Sequence, residues 1–352
     1  MAVAVAAAAV TDMKQNRLLL QFHITGRCNL RCKHCYRTEG DREPLGYAAV
    51  ERVIHLFLQL RRAYNAHYGI RKKGHINITG GEPFFHKDID RILALLGSHR
   101  QEFSFGILSN GSFLDERRMA LLKENGVSFV QLSIDGDRAA HDSLRAPGDY
   151  DRVFAKAAQL EKAGIPTYIS FTANRENIRH LPKVAAMCRK CGVTKLWSDR
   201  LVPIGNGENM RALWIGPEDF PEYLRQLKKA RGGILTRLLH HRTRVTMNRA
   251  LQFQAGCGLM YACSAADSLI TVDEFGRILP CRRMPIDCGD VFASSLEQVY
   301  FHHPTFRALR AAQIPRDCGS CPHGAACKGG ARCQSYAING CFDKKDPGCP
   351  LR

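Results

Sequence analysis

Thr25-Gly-Arg-Cys28-Asn-Leu-Arg-Cys32-Lys-His-Cys35-Tyr36 sets three cysteines in one short loop, spaced x3 and then x2. Thiolates at that spacing wrap a metal centre, and four of them close a cubane iron–sulfur cluster. With only three close in sequence, one iron is left for another ligand. The plainer alternatives are a zinc site or a run of reduced thiols. Just upstream, Arg17-Leu-Leu-Leu-Gln-Phe-His-Ile24 is apolar and reads as a buried strand. A strand that delivers its C-terminal loop to a metal centre is the usual layout of an α/β active site.

Outward from the loop, strand and helix signals alternate. Helical spacing runs from Tyr47 to about His67, and Gly74-His-Ile-Asn-Ile-Thr79 alternates as a short strand ending in Gly80-Gly81-Glu82-Pro83. Ile89 to His99 is helical, and Phe103 to Leu108 is a strand closed by Ser109-Asn110-Gly111. Asp115 to Asn125 is a helix with an acidic start and Gly126 past its end. Strands follow at Val127–Ile134, Pro166–Ala173 and Val193–Val202, with helices at Tyr150–Ala163, Ile178–Cys191 and Pro217–Ala230. Six such units predict an α/β fold, a partial (β/α)6 barrel with a lateral opening wide enough for a large substrate.

The chain has 352 residues, 45% hydrophobic and 24% charged, which are globular values. Its formal charge of +18 favours anionic partners such as an acidic peptide, a phosphorylated substrate or nucleic acid. Ala2 to Val10 is apolar but lacks a basic flank and is too short to span a bilayer, so it reads as a tail rather than an anchor. Ten of the fifteen cysteines lie beyond position 250, where helical periodicity fades and glycine and proline rise. Clustered cysteines of this kind point to metal ligation in a reducing compartment, the cytoplasm. The expected organisation is a tail (1–15), a barrel (16–235), and a bridging helix over Arg237–Arg249 leading a loop-rich, cysteine-rich iron–sulfur domain (236–352).

The cysteine loop followed, one helix and one strand later, by Gly80-Gly81-Glu82-Pro83 resembles the radical S-adenosylmethionine (SAM) superfamily, whose signature is Cys-x3-Cys-x2-Cys after the first barrel strand. The resemblance implies that Cys28, Cys32 and Cys35 hold a 4Fe–4S cluster whose fourth iron binds SAM, which one electron cleaves to a 5′-deoxyadenosyl radical. It implies that Gly80, Gly81, Glu82 and Pro83 receive the methionine amino group, with Tyr36 beside the cofactor. Ser133, in Ser133-Ile-Asp135-Gly136, and Arg145 are the candidates for the ribose and the carboxylate, against plain capping and surface roles. Ser109 and Asn110 are candidates for the same cavity. Asp199 and Arg200 read either as an ion pair or as substrate-lining groups.

Further on, Cys257-x5-Cys263, Gly276-x4-Cys281, Cys318-x2-Cys321-x5-Cys327, Cys333 and Cys349 resemble the SPASM extension of radical SAM enzymes, which holds two auxiliary clusters. The resemblance assigns Cys257, Cys263, Cys281 and Cys333 to one auxiliary 4Fe–4S cluster, and Cys318, Cys321, Cys327 and Cys349 to a second. Cys341 is an alternative to Cys349. The spacing before Cys333 is x5 where the family usually has x3. Cys288 or Cys341 is a candidate hydrogen donor, while Cys188 and Cys191 read as packed or exposed thiols.

Such enzymes mostly act on peptides and proteins. The expected function is therefore maturation of a ribosomally made precursor peptide with an acidic leader, by a carbon–carbon or thioether crosslink. Only 27 residues precede Cys28. The leader is thus expected to be gripped by a separate recognition protein or by the basic surface, and a flavodoxin or ferredoxin is the expected electron donor. Alternatives are maturation of pyrroloquinoline quinone or haem d1, suggested by Gly-Gly-Ala-Arg-Cys-Gln and Asp346-Pro-Gly-Cys349, and peptide epimerisation. A sulfatase-maturing role is disfavoured, because that group carries an acidic residue where this chain has Arg282-Arg283. A basic zinc protein binding nucleic acid is the non-enzyme alternative, disfavoured by the Gly-Gly-Glu-Pro loop and the lack of aromatic clusters within basic runs.

Overall fold

The computed structural model describes residues 17–38, 45–239, 242–247, 250–255, 262–311 and 314–351. Its centre is a parallel sheet, β1 (Leu19–His23), β2 (Gly74–Thr79), β3 (Phe103–Leu108), β4 (Phe129–Ser133), β5 (Thr167–Ala173) and β6 (Lys195–Arg200), each strand paired to the next in chain order. Between them run helices α1 (Tyr47–Tyr68), α2 (Ile89–Ser98), α3 (Glu116–Glu124), α4 (Arg138–Leu144), α5 (Asp149–Lys162) and α6 (Leu181–Lys190), with α7 (Phe220–Arg231) after β6. The expected partial (β/α)6 barrel is present.

The central residues of β1, β2, β4 and β5 alternate. Leu20, Phe22, Ile76, Ile78, Val130, Leu132, Ile169 and Phe171 are fully buried in the apolar core shared with the helices. The residues between them are polar and turn to the barrel interior: His75 Nε2 meets Asn77 Oδ1 at 2.9 Å, and Asn77 Nδ2 donates to Gln21 Oε1 at 3.3 Å. Period-two patterning thus sorts one face to the helices and the other to a polar lumen. Helix ends follow their residues. Asp115 Oδ1 accepts from Arg118 N at 2.7 Å to start α3, and Gly69, left-handed at φ 64, ends α1.

Part of the segment after residue 236 belongs to the sheet. Helix α8 (Ile234–Leu239) is short, and the expected bridging helix over Arg237–Arg249 is replaced in part by strand β7 (Arg244–Met247), which pairs parallel with β6. Arg244, Thr246 and their neighbours form a β-branched-containing run that suits an edge strand better than a helix. β8 (Leu269–Val272) pairs parallel with β1, and β9 (Ile278–Leu279) pairs antiparallel with β8. The sheet has nine strands in the order β7-β6-β5-β4-β3-β2-β1-β8-β9, so the division proposed at residue 236 is not a break in the sheet. Among the described residues no helix is long and apolar enough to cross a membrane.

Candidate active site

A cavity of about 470 Å³ opens at the C-terminal ends of β1 to β6. Cys28, Cys32, Cys35 and Tyr36 line it from the loop after β1, Gly80 and Gly81 from the end of β2, Ser109 and Asn110 from β3, Ser133 from β4, and Arg145 from the end of α4. The fold therefore gathers most of the residues picked out in the sequence.

The cysteine loop is held from two sides. Gly81 N donates to Thr25 O at 2.8 Å and Glu82 N to Arg27 O at 2.9 Å, so the two sequence motifs are stitched together by backbone. A Cβ on Gly80 would stand 2.2 Å from Thr25 O, and one on Gly81 2.2 Å from Arg27 O. The glycines are there because the cysteine loop lies directly on them. On the other side Lys33 N donates to Leu144 O at 2.9 Å, from the last residue of α4. That helix, started by Asp137 accepting from Ala140 N, was not legible as a helix in the sequence.

Glu82 and Pro83 stand behind the cavity wall rather than in it. Glu82 is fully buried behind it and accepts from Asn110 N at 2.7 Å, Ser109 Oγ at 2.8 Å and Phe84 N at 3.2 Å. Burial pushes its carboxyl up to about 7 against the pull of those three donors. Its work in this structure is to tie the end of β2 to the end of β3, while Pro83 opens a single 3₁₀ turn over Pro83–Phe85. Arg145 does face the cavity, but it is already engaged: Nε donates to Asp135 Oδ2 at 2.6 Å and Nη1 reaches Cys32 Sγ at 3.7 Å. Burial works against charge on Asp135, yet Arg145 and His34, whose Nε2 lies 3.2 Å away, hold its carboxyl well below the usual range. Arg145 is thus a brace for the cysteine loop as well as a wall residue.

Asp199 and Arg200 do not pair with each other. Asp199 pairs with Arg283, and Arg200 forms a two-pronged pair with Asp346. Burial disfavours the Arg200 charge, but Asp346 more than restores it, and its pKa is raised. Both pairs anchor the C-terminal segment on β6. They bring Arg282 and Arg283 into the cavity wall, where Arg282 Nη1 donates to Gln21 Oε1 at 3.1 Å and stacks over Tyr36 at 5.7 Å. In all, seven arginines and, among the described residues, no Asp or Glu line this cavity. Gln131, Ser170, Thr172 and Trp197 complete the wall. The signal of Gln131, Ser170 and Thr172 in sequence was the polar phase of their strands' alternation, which Trp197 does not share.

The C-terminal cysteines fall in two groups. Cys318, Cys321, Cys327 and Cys349 line a second, small cavity of about 20 Å³ with Phe253 and His323. Cys263, Cys281 and Cys333 lie near one another, and burial pushes the Cys333 thiol up to about 12, with Cys281 and Cys263 adding to the rise. Cys257 lies outside the described residues. Among the described residues no three His, Cys, Asp or Glu are gathered tightly enough for a single metal ion. Thiolates on a cubane each bind a different iron and stand farther apart than ligands of one ion. Three thiols on one wall with amide and guanidinium donors turned to their sulfurs (Leu30 N to Cys28 Sγ at 3.5 Å, Asn110 Nδ2 to the same atom at 3.8 Å) suit a cluster with one open iron. The polar ends of β4 and β5 offer hydroxyl and amide groups to a nucleoside.

Residues 22–188 match the family model described as the Radical SAM superfamily, so this part of the chain is a radical SAM domain. It is 24% identical over 349 residues to the AdoMet-dependent heme synthase of Methanosarcina barkeri (strain Fusaro / DSM 804), covering 95% of this chain and 96% of that protein. It is 28% identical over 349 residues to mycofactocin maturase MftC of Mycolicibacterium smegmatis (strain ATCC 700084 / mc(2)155), covering 94% and 82%. In fold it is similar to SuiB of Streptococcus suis, with a TM-score of 0.73 at 16% identity over 99% of this chain and 81% of that one. SuiB has also been crystallised with its precursor peptide SuiA.

Proposed function

We propose that this enzyme modifies a ribosomally synthesised precursor peptide, forming an intramolecular carbon–carbon or thioether crosslink. The observation that carries the reading is the arginine-walled cavity over the three-cysteine loop, lined among the described residues by no Asp or Glu, which suits an anionic polypeptide substrate better than a neutral small molecule. A relative named PqqA peptide cyclase, from Gluconobacter oxydans (strain 621H), matched over 93% of this chain and 89% of that protein, supports it.

In this reading Cys28, Cys32 and Cys35 hold a 4Fe–4S cluster, and Gly80, Gly81, Ser133 and Tyr36 border the SAM site. Bound there, cluster and SAM supply hydrogen-abstraction chemistry. The protein's own part is positional. The backbone of Gly80-Gly81 and the Arg145 brace fix the cysteine loop, the polar ends of β4 and β5 orient the nucleoside, and Arg282 holds an anionic group of the substrate. Cys257, Cys263, Cys281 and Cys333 hold one auxiliary cluster, and Cys318, Cys321, Cys327 and Cys349 the other. With four protein ligands each, both auxiliary clusters conduct electrons and do not bind substrate. A flavodoxin or ferredoxin supplies the reducing electron.

Co-expression with the product of a neighbouring small open reading frame, followed by mass spectrometry, tests the reading. A loss of about 2 Da per crosslink is expected. An unchanged mass with altered stereochemistry replaces the crosslink with epimerisation. A second reading, modification of a propionate-bearing tetrapyrrole, is favoured by the match over 96% of the heme synthase. Consumption of such a tetrapyrrole under anaerobic turnover, with peptides left untouched, replaces the first.

A further inference from the structure

The most exposed apolar side chains of the described structure stand together on α8. Ile234 is 78% exposed, Leu235 70%, Leu238 68% and Leu239 69%, whereas no other large apolar side chain among the described residues exceeds 41%. Their i, i+1, i+4, i+5 spacing puts all four on one face of the helix. The surrounding sequence is one-sided in charge: between Glu222 and Asp267 there is no Asp or Glu, against eight Lys and Arg. Lys228 and Lys229 before the ridge, and Arg242 and Arg244 after it, are exposed.

We infer that this ridge is a docking surface for the acidic, aliphatic-bearing leader of the substrate peptide, an inference that rests on the precursor-peptide reading above. Leucine and isoleucine at helical spacing fit an apolar face laid against a partner helix, and the cations flanking it select a partner carrying carboxylates. An anionic membrane is the competing occupant. The observations favour the peptide, because two turns of helix are short for an interfacial anchor and the ridge carries no aromatic side chain. Position argues the same way. The ridge leads into β7, the outer strand of the sheet, which runs parallel to β6, and β6 ends at Arg200 in the wall of the reaction cavity. A chain bound on the ridge and extended along β7 covers about 13 Å toward that cavity.

The test uses a fluorescein-labelled synthetic peptide of roughly twenty residues, Glu-rich with Leu at helical spacing, against the whole reconstituted enzyme. Fluorescence anisotropy is expected to show binding that weakens at least about tenfold in Leu235→Asp/Leu238→Asp and in Lys228→Glu/Arg242→Glu. Both variants change exposed positions, and 5′-deoxyadenosine formation without peptide is expected to stay at the parent rate, reporting an intact cavity. Peptide binding that is absent in the parent or unchanged in both variants overturns the inference. So does sedimentation of the parent with phosphatidylserine vesicles that the ridge variant abolishes. Crosslinking of a co-expressed precursor that survives in both variants sinks the docking site alone. A parent enzyme that binds the probe but modifies no peptide sinks the precursor reading instead.

Discussion

Arg200 at the end of β6 and Asp346 near the C-terminus form a two-pronged ion pair, 2% and 0% exposed, with Asp346 also accepting from Ala331 N at 3.0 Å and Gly348 N at 2.9 Å. A buried pair of this kind contributes little over an apolar substitute, but removing one partner strands a charge. Asp346→Ala is therefore expected to cost about 3–5 kcal/mol in chemical denaturation, and Arg200→Met/Asp346→Leu to recover much of it. Equal losses in the single and double variants would refute that account.

Gly81→Ala puts a methyl group 2.2 Å from Arg27 O, against rigid backbone. The cysteine loop must shift. Iron bound at the N-terminal site is expected to fall by about four per chain while the rest of the iron is retained. Full iron content in this variant would show that the loop tolerates the displacement.

Glu82 has a folded pKa of about 7, above the ordinary 4.5. Its contribution to stability is fully present below about pH 4.5 and is lost as pH rises through about 7, because the folded state holds a proton that the unfolded state gives up. Between those limits the stability of the parent relative to Glu82→Gln is expected to decline by on the order of 3 kcal/mol. Denaturation of the metal-free protein across that window checks it, and a flat difference would mean the carboxylate is ionised throughout.

Cys349 shares a cavity with Cys318, Cys321 and Cys327, and Cys341 does not line it. Cys349→Ala is expected to lower iron from about twelve to about eight per chain, and Cys341→Ala to leave it unchanged. The reverse result would make Cys341 the ligand.

Arg282→Glu reverses charge in the cavity wall beside Tyr36 and leaves Cys28, Cys32 and Cys35 in place. The KM for an anionic substrate is expected to rise at least about tenfold, with substrate-free SAM cleavage retained. A change confined to kcat would count against substrate binding by Arg282.

Much of the architecture was legible because it is written locally. The period-two strands, the glycine stops and the spacing of Cys28, Cys32 and Cys35 each depend on near neighbours. The partners of Glu82 were hidden for a related reason: the motif gives its position at the strand end, but only the fold shows that it accepts from Ser109 Oγ and Asn110 N. Arg200 and Asp346 were seen singly, since nothing in either segment signals a partner 146 residues away. Strand β7 was hidden because a four-residue edge strand has too little pattern to outweigh the helical composition around it.

The pairing of β1 with β8 has a consequence for biosynthesis. Leu19–Phe22 leave the ribosome first, yet their second neighbour, Leu269–Val272, arrives only when most of the chain has been made. Until then the base of the metal-binding loop is a half-finished edge, exposed to pairing with other chains. A ribosome stalled before residue 269 would carry a cysteine loop already resting on Gly80-Gly81 and Leu144, on a strand that still lacks its second neighbour.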